Sequence, residues 1–325
     1  MRSPQDYAVT VTRYEHAELL PTPLDDSPLG AHDIAGATLA SLISAGTELA
    51  AVYGGSNFPA VPGYAAVFRV EEVGSEVESV QVGDHVFCMG NHCSWQRHAE
   101  DTVVKVPSGL PAERAVFARL MAVTMSTLTT TTARPPGRVV VAGLGPVGHL
   151  AAKIFAACGY EVLACDPDSA RRALAEQNGV RATAMMPLDD PQWADRTALV
   201  LECSGHEQAV LDGCKLVAKR GEVVLVGVPW KRRTELFAHD ILHAVFHRYV
   251  VLRSGWEWEV PMHPTEFRSG GIMENVRAAL SWLADGRISV DSLYAEYSPA
   301  DCQNAYQNLL HHREEKLAVI FNWTK

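Results

Sequence analysis

One stretch constrains this chain more than any other: residues 138–166, RVVVAGLGPVGHLAAKIFAACGYEVLACD. Val139, Val140, Val141 and Ala142 form a short apolar run rich in β-branched residues, the pattern of a strand buried on both faces. Gly143-Leu144-Gly145-Pro146-Val147-Gly148 follows. Leu150, Ala151, Ile154, Phe155 and Cys158 then recur at helical spacing, and Gly159 ends the helix. A second apolar run, Val162 to Cys165, closes on Asp166. Strand, Gly-x-Gly-x-x-Gly, helix, strand and acid in register predict a dinucleotide-binding βαβ unit.

Each part of that unit has a separate task. Gly143 permits the tight turn, Gly145 admits a pyrophosphate to the backbone, and Gly148 lets helix and strand pack closely. The helix start at Pro146 and Val147 offers unpaired N–H groups and a positive dipole end. Asp166 stands where a carboxylate accepts from a ribose 2′-hydroxyl and repels a 2′-phosphate, which favours NAD(H) over NADP(H). Arg171 and Arg172 carry the opposing charge, although Asp168-Ser169 before them reads as a helix start that turns them to solvent.

The alternation continues downstream. ALVLECSG (198–205), GEVVLVGV (221–228) and YVVLRSGW (249–256) read as strands. Residues 206–218 and 235–248 read as helices. Repeated βα units imply an α/β fold with a doubly wound parallel sheet, whose ligands sit at the carboxyl ends of the strands. Cys203, Ser204, Gly205, Val226, Gly227 and Val228 therefore belong beside the cofactor. Residues 7–110 are β-rich, with no convincing helix, and residues 112–127 read as one helix before the breaking run TTTTARPPG. After Gly255 two helices and a final strand, KLAVIFNW, form a tail too small to fold alone. It should pack back on the β-rich part. The expected division is 1–115, 116–256 and a returning segment 257–325.

Composition narrows the partners. The net charge of −10 is dispersed, which argues against nucleic acid or an anionic membrane. No stretch approaches a transmembrane length, and MRSPQDYAVT lacks an apolar signal core. The seven cysteines include no C-x-x-C pair and several lie in apolar runs, as expected of free thiols in a cytoplasmic protein.

The order of these parts, together with VPGYAAVFRVEEVGSEV, VGDHVF, LVLECSG, GEVVLVGV and DGRI, resembles the medium-chain dehydrogenase/reductase superfamily over essentially the whole chain. The resemblance implies a GroES-like catalytic domain and a Rossmann domain with a cleft between them. It also implies NAD(P)(H)-dependent chemistry on a small molecule, and a homodimer or homotetramer. Trp256, Trp258 and His263 would border the cleft or the subunit interface. Zinc-dependent members carry Cys-Gly-x-Asp and Gly-His-Glu. The matching stretches here are Ser44-Ala45-Gly46-Thr47-Glu48 and Gly63-Tyr64-Ala65, so Ala45 and Tyr64 replace two zinc ligands. The four closely spaced cysteines of the structural zinc lobe are missing, and Cys88, His92, Cys93 and His98 fit no standard site. The expectation is a zinc-independent enzyme. Ser44 to Glu48 and the ending VIFNW are similar to a bacterial branch that includes the bacteriochlorophyllide hydroxyethyl dehydrogenases, without naming a substrate.

Without a metal, hydride transfer still needs a group at the substrate oxygen. Tyr64 either donates to that oxygen or is an aromatic wall. Glu48 either orients a hydroxyl and takes a proton, or is a buried carboxylate paired for structure, for instance with an arginine. Thr47 relays a proton or contacts the nicotinamide ribose. His92 lines the pocket or is a solvated loop residue. The favoured reaction is the interconversion of a secondary alcohol and a ketone. The rivals are reduction of an activated C=C bond and a nucleotide-binding homologue that has lost its chemistry.

Overall fold

The computed structural model describes residues 4–325. It divides into two compact units, one ending at Arg119 and resuming at Val276–Lys325, the other Leu120–Asn275. Among the described residues no helix is long and apolar enough to cross a membrane.

The first unit opens with an antiparallel hairpin of β1 (Asp6–Arg13) and β2 (His16–Thr22). Its main sheet is built on β3 (Asp33–Leu42), whose length lets it pair with three partners. These are β4 (Ala66–Val73), β6 (Trp95–Ala99) and, near its end, β15 (Ala318–Asn322), all antiparallel, with β5 (His85–Cys88) beyond β4 and β7 (Val103–Lys105) at the edge.

β14 (Tyr294–Tyr297) adds parallel to β15 on the other edge. The tail thus completes the sheet of the β-rich part, and α9 (Cys302–Leu310) caps one core with Tyr306 beside Val9, Ile43, Tyr53 and Phe321. Between β3 and β4 lies a short helical segment that the strand pattern hides: α1 (Ala45–Thr47) running into a π-helical turn, Glu48–Tyr53.

The second unit is a six-stranded, wholly parallel sheet. Its strands are β8 (Arg138–Ala142), β9 (Glu161–Cys165), β10 (Ala182–Thr183), β11 (Thr197–Glu202), β12 (Val217–Leu225) and β13 (Val251–Ser254). Their order is β10-β9-β8-β11-β12-β13. Between them run α4 (Pro146–Ala157), α5 (Ser169–Gln177), α6 (Glu207–Leu216) and α7 (Ala238–Arg248). The apolar runs are buried as expected, with Val140, Leu163, Val200 and Val223 around Trp193 and Leu211. In register, Ala142 stands beside both Cys165 and Glu202, so the loops after β8, β9 and β11 emerge together. The strand order reverses at β8 and β11, where such sheets bind ligands.

Two boundaries differ from the sequence reading. The expected helix over 112–127 is split into α2 (Ala112–Ala115) and α3 (Ala118–Thr130), because the Phe117 and Arg119 amides bond three residues back, to Arg114 and Val116. The helix also runs past Thr129, with the Thr130 hydroxyl bonded to the Ser126 carbonyl. The second unit extends to Asn275 rather than ending near Trp256. Polar bonds hold the extra residues to it: Arg253 pairs with Glu259 at 3.1 Å, and Asn275 donates to the Ser126 hydroxyl.

Candidate active site

The glycine loop has the geometry its sequence predicts. Gly143 sits at φ +91°, and a Cβ there would come within 2.9 Å of the Ser204 side chain. A Cβ on Gly148 would lie 1.8 Å from the Gly143 carbonyl oxygen, so helix and loop meet as only glycine allows. Gly145 is different. No atom lies within 4 Å of its would-be Cβ, so nothing in the fold itself demands glycine there. That open approach suits a ligand coming up to the backbone. Gly145 caps α4 without a side chain, Pro146 brings no N–H, and the amides of Val147 and Gly148 have no intrahelical acceptor.

Asp166 is buried behind this loop at 4% exposure. One carboxylate oxygen accepts from the Leu144 amide at 2.7 Å and the other from the Asp168 amide at 2.8 Å. The carboxylate thereby ties the glycine loop to the turn after β9 and keeps lone pairs for a hydroxyl. Arg171 approaches it at 3.6 Å, while Arg172 turns back onto the Asp166 and Pro167 carbonyls. Asp168 caps α5 through the Ala170 and Arg171 amides. Beside them Glu202, unnoticed in the sequence, organises the β11 turn. It accepts from the Ser204 amide and hydroxyl and from the Gly205 amide. Burial raises its pKa above the ordinary carboxylate value, and those bonds oppose the rise. The Val226 and Gly227 amides bond the Glu202 carbonyl, and a Cβ on Gly227 would collide with Cys203 and Gly205. Ser204, Gly205, Val226 and Gly227 therefore stand at neighbouring strand ends, as do Gly143 and Asp166. These residues fit a dinucleotide.

In the first unit the proton-bearing candidates gather at the start of α1. Tyr64 donates a short hydrogen bond to the Ser44 hydroxyl, and the Thr47 side chain also bonds it. Ser44 is the helix N-cap, yet its hydroxyl does not cap. The capping is reversed: Glu48 reaches back and accepts from the Ser44 amide at 2.7 Å. That frees the hydroxyl for Tyr64. The guanidinium of Arg119, 4% exposed, lies 4.9 Å from the Tyr64 ring centroid. Burial is the largest influence on the phenol and leaves its pKa above the ordinary tyrosine value. The Ser44 and Thr47 bonds and the Arg119 charge pull it down, and the Glu48 charge pushes it up.

Glu48 and His92 form a second, enclosed layer. His92 Nε2 lies 3.0 Å from Glu48 Oε2, which also accepts from the Tyr306 hydroxyl at 2.6 Å. His92 Nδ1 meets the Ser41 hydroxyl at 2.8 Å, and Trp323 Nε1 donates to that hydroxyl at 2.9 Å. Phe321 stands edge-on to the imidazole. The reading of His92 as a solvated loop residue is thus overturned, since β1, β3 and β15 surround it and it has no exposure. Glu48 is buried, and its partners are a histidine and a tyrosine rather than the arginine expected. Ser44 and Arg119 were missed. An arginine inside the apolar pattern of α3 was the available signal.

The donors present do not fit a zinc ion. Ala45 has no donor atom, and the Tyr64 hydroxyl is engaged with Ser44 and Thr47. Cys93 bonds backbone carbonyls, and burial pushes its thiol up to about 12.

The chain matches the zinc-binding dehydrogenase family over residues 146–256 and the alcohol dehydrogenase GroES-like domain over residues 39–132. An alcohol dehydrogenase of Geobacillus stearothermophilus is 28% identical over 224 residues, which is 56% of this chain and 66% of that relative. Galactitol-1-phosphate dehydrogenase from Escherichia coli superposes with a TM-score of 0.82 at 16% identity, covering 97% of this chain and 99% of that one. Acetophenone reductase from Geotrichum candidum, in complex with NAD, gives 0.78 at 15% identity, covering 99% and 98%.

Proposed function

The chain belongs to the medium-chain dehydrogenase/reductase superfamily, and we propose that it interconverts a secondary alcohol and a ketone with NAD(H), without zinc. The observation that supports this reading is the Tyr64–Ser44–Thr47 cluster, which gathers three hydroxyls around Tyr64, the residue that the resemblance sets at a zinc-ligand position. Bound nicotinamide supplies or accepts the hydride. The remaining task is the proton on the substrate oxygen. Tyr64 is the group for it, because a phenol can both give and take a proton. Ser44 accepts from Tyr64 and keeps its own O–H to donate to the same substrate oxygen. Thr47 holds the phenol from its other side. Glu48 and His92 act at one remove, fixing Ser44 through its amide.

The second unit supplies the nucleotide side. Gly143, Gly145, Val147 and Gly148 take the pyrophosphate, Asp166 the ribose, and Ser204, Gly205, Val226 and Gly227 flank the nicotinamide half. The buried carboxylate of Asp166 supports NAD(H), because a 2′-phosphate would have to approach a negative charge.

The test is a panel of secondary alcohols, ketones and enones with either nicotinamide, run on chelator-treated protein and on Tyr64→Phe. Chelator-resistant oxidation of a secondary alcohol with NAD that Tyr64→Phe abolishes supports the reading. Activity restored only by zinc overturns it, and turnover of enones alone replaces it with C=C reduction.

A further inference from the structure

Helix α7 in the second unit carries His239, His243 and His247, one at every fourth residue, so the three lie along one face of the helix. All three are exposed. The ring centres of His239 and His243 are 5.9 Å apart, and those of His243 and His247 are 4.3 Å apart. Among the described residues none of the three has a hydrogen-bond or ion-pair partner, and Phe246 stands edge-on to His247. We propose that this row binds a divalent transition-metal ion between two neighbouring imidazoles, with His243 the ligand common to both pairs.

The spacing suits that ligation. An ion bonded to two imidazole nitrogens at about 2.1 Å each holds the ring centres roughly 4.6 to 5.9 Å apart, for bond angles from about 90° to 130°. His239 and His243 already stand at the wide end of that range. His243 and His247 need to open by only a few tenths of an ångström, a small rotation for exposed side chains. The whole row runs about 12 Å along the helix axis, too far for one ion to touch both ends. Among the described residues no three His, Cys, Asp or Glu side chains are placed to hold one ion together. Two imidazoles therefore hold the metal and water completes its shell.

The surroundings set which metal. A groove of about 670 Å³ beside the row is also lined by Asp240, Lys215 and Arg248. Arg248 is occupied: it donates to the Cys214 carbonyl at 3.1 Å and the Val217 carbonyl at 2.7 Å, and it pairs with Asp195. Asp240 and Lys215 offset each other, so the affinity comes from the imidazoles. Imidazole suits copper, nickel and zinc, whereas calcium and magnesium need several oxygen ligands that a single carboxylate does not supply. The site also separates two meanings of metal binding in this chain. The donors around Tyr64 do not fit zinc, so an ion that binds does so on α7, and binding by itself says nothing about catalysis.

The experiment uses untagged, chelator-stripped, full-length protein, titrated by calorimetry with Cu²⁺, Ni²⁺ or Zn²⁺ chloride. Copper saturates a single site per chain and binds more tightly than nickel or zinc. In His243→Gln the copper affinity falls by about a hundredfold or more, because a lone ligand loses the effective concentration of its neighbour. His239→Gln and His247→Gln each leave one pair intact and lose far less, while the double variant, with His243 alone, matches His243→Gln. Copper raises the melting temperature of the parent and leaves that of His243→Gln in place. NADH affinity in His243→Gln stays at the parent value, which shows that the second unit is folded. Copper bound as tightly by His243→Gln as by the parent overturns the inference, and so does a parent with no saturable site. Neither result touches the Tyr64 reading, whose readout is turnover in the presence of chelator.

Discussion

His92 Nε2 and Glu48 Oε2 face each other at 3.0 Å with essentially no exposure on either side chain. The pair joins the start of α1 to the loop before β6. Its partners, Tyr306, Ser41 and Trp323, come from α9, β3 and the chain's last residues. The tail therefore closes a hydrogen-bonded network that reaches Ser44. Replacing His92 by Ala should leave Glu48 buried with a partner missing and cost about 3 kcal/mol or more, read as a lower urea midpoint at unchanged slope. His92→Ala with parent stability would mean that the network contributes nothing.

The hydroxyl of Ser44 is separable from its amide. Glu48 holds the amide, while Tyr64 uses the hydroxyl. Ser44→Ala should therefore keep the fold and its melting temperature but lower kcat for alcohol oxidation by about tenfold or more, the usual worth of a positioned donor. A matching loss in Tm and kcat would make Ser44 a structural residue.

Gly145 and Gly148 separate ligand binding from packing. A methyl group at Gly145 meets nothing in the protein, whereas one at Gly148 lands 1.8 Å from a carbonyl oxygen. Gly145→Ala should leave the melting temperature in place and weaken NADH binding by about tenfold or more, by blocking close approach of the pyrophosphate. Gly148→Ala should lower stability and binding together. Undiminished NADH affinity in Gly145→Ala, read by fluorescence titration, would remove the pyrophosphate from this loop.

The two candidate sites, one in each unit, were unequally legible in the sequence. The dinucleotide loop is local: strand, glycines, helix and acid lie within 138–166, and each imposes its own geometry. Burial of Val139 to Ala142 and the capping by Asp168 follow from the same short-range rules. The Tyr64 cluster is assembled from β3, α1, the loop before β4 and the start of α3, so no window of sequence contains it. Tyr64 and Thr47 could be singled out only through the resemblance. Ser44 stands out in the sequence only as part of a matching stretch, because its partner Tyr64 lies 20 residues away. His92 looked like a loop residue because its partners, Ser41 and Phe321, are far away in the chain. Glu202 was hidden inside an apolar strand pattern, where a carboxylate is read as exposed at the end.

Asp166 has a double task, and its replacement should show both. The carboxylate holds the Leu144 amide, and under the proposed function it also meets the ribose of NAD(H). Asp166→Asn keeps an acceptor for that amide but removes the charge. The ratio of NADPH to NADH affinity should rise by about tenfold or more in Asp166→Asn, helped by the nearby Arg171. An unchanged ratio would take Asp166 out of cofactor discrimination and leave it as the tie between two loops.

His149 is the remaining test of the second unit, and it concerns stability rather than chemistry. It follows Gly148 on α4, fully buried, with neither ring nitrogen hydrogen-bonded. Burial, reinforced by the Lys153 charge, pushes its pKa down to about 4. In the unfolded chain an imidazole titrates near 6.5. Between those values the unfolded chain takes up a proton that the folded one refuses, so stability falls as pH drops from about 6.5 towards 4 and is level above that window. The difference amounts to about 3 kcal/mol at the acid end. His149→Leu fills similar space without orphaned nitrogens. Denaturant midpoints at pH 7 and pH 5 should therefore differ clearly in the parent and far less in the variant, with the variant the more stable at pH 5. Equal pH dependence in both would show that some other group governs the acid limb.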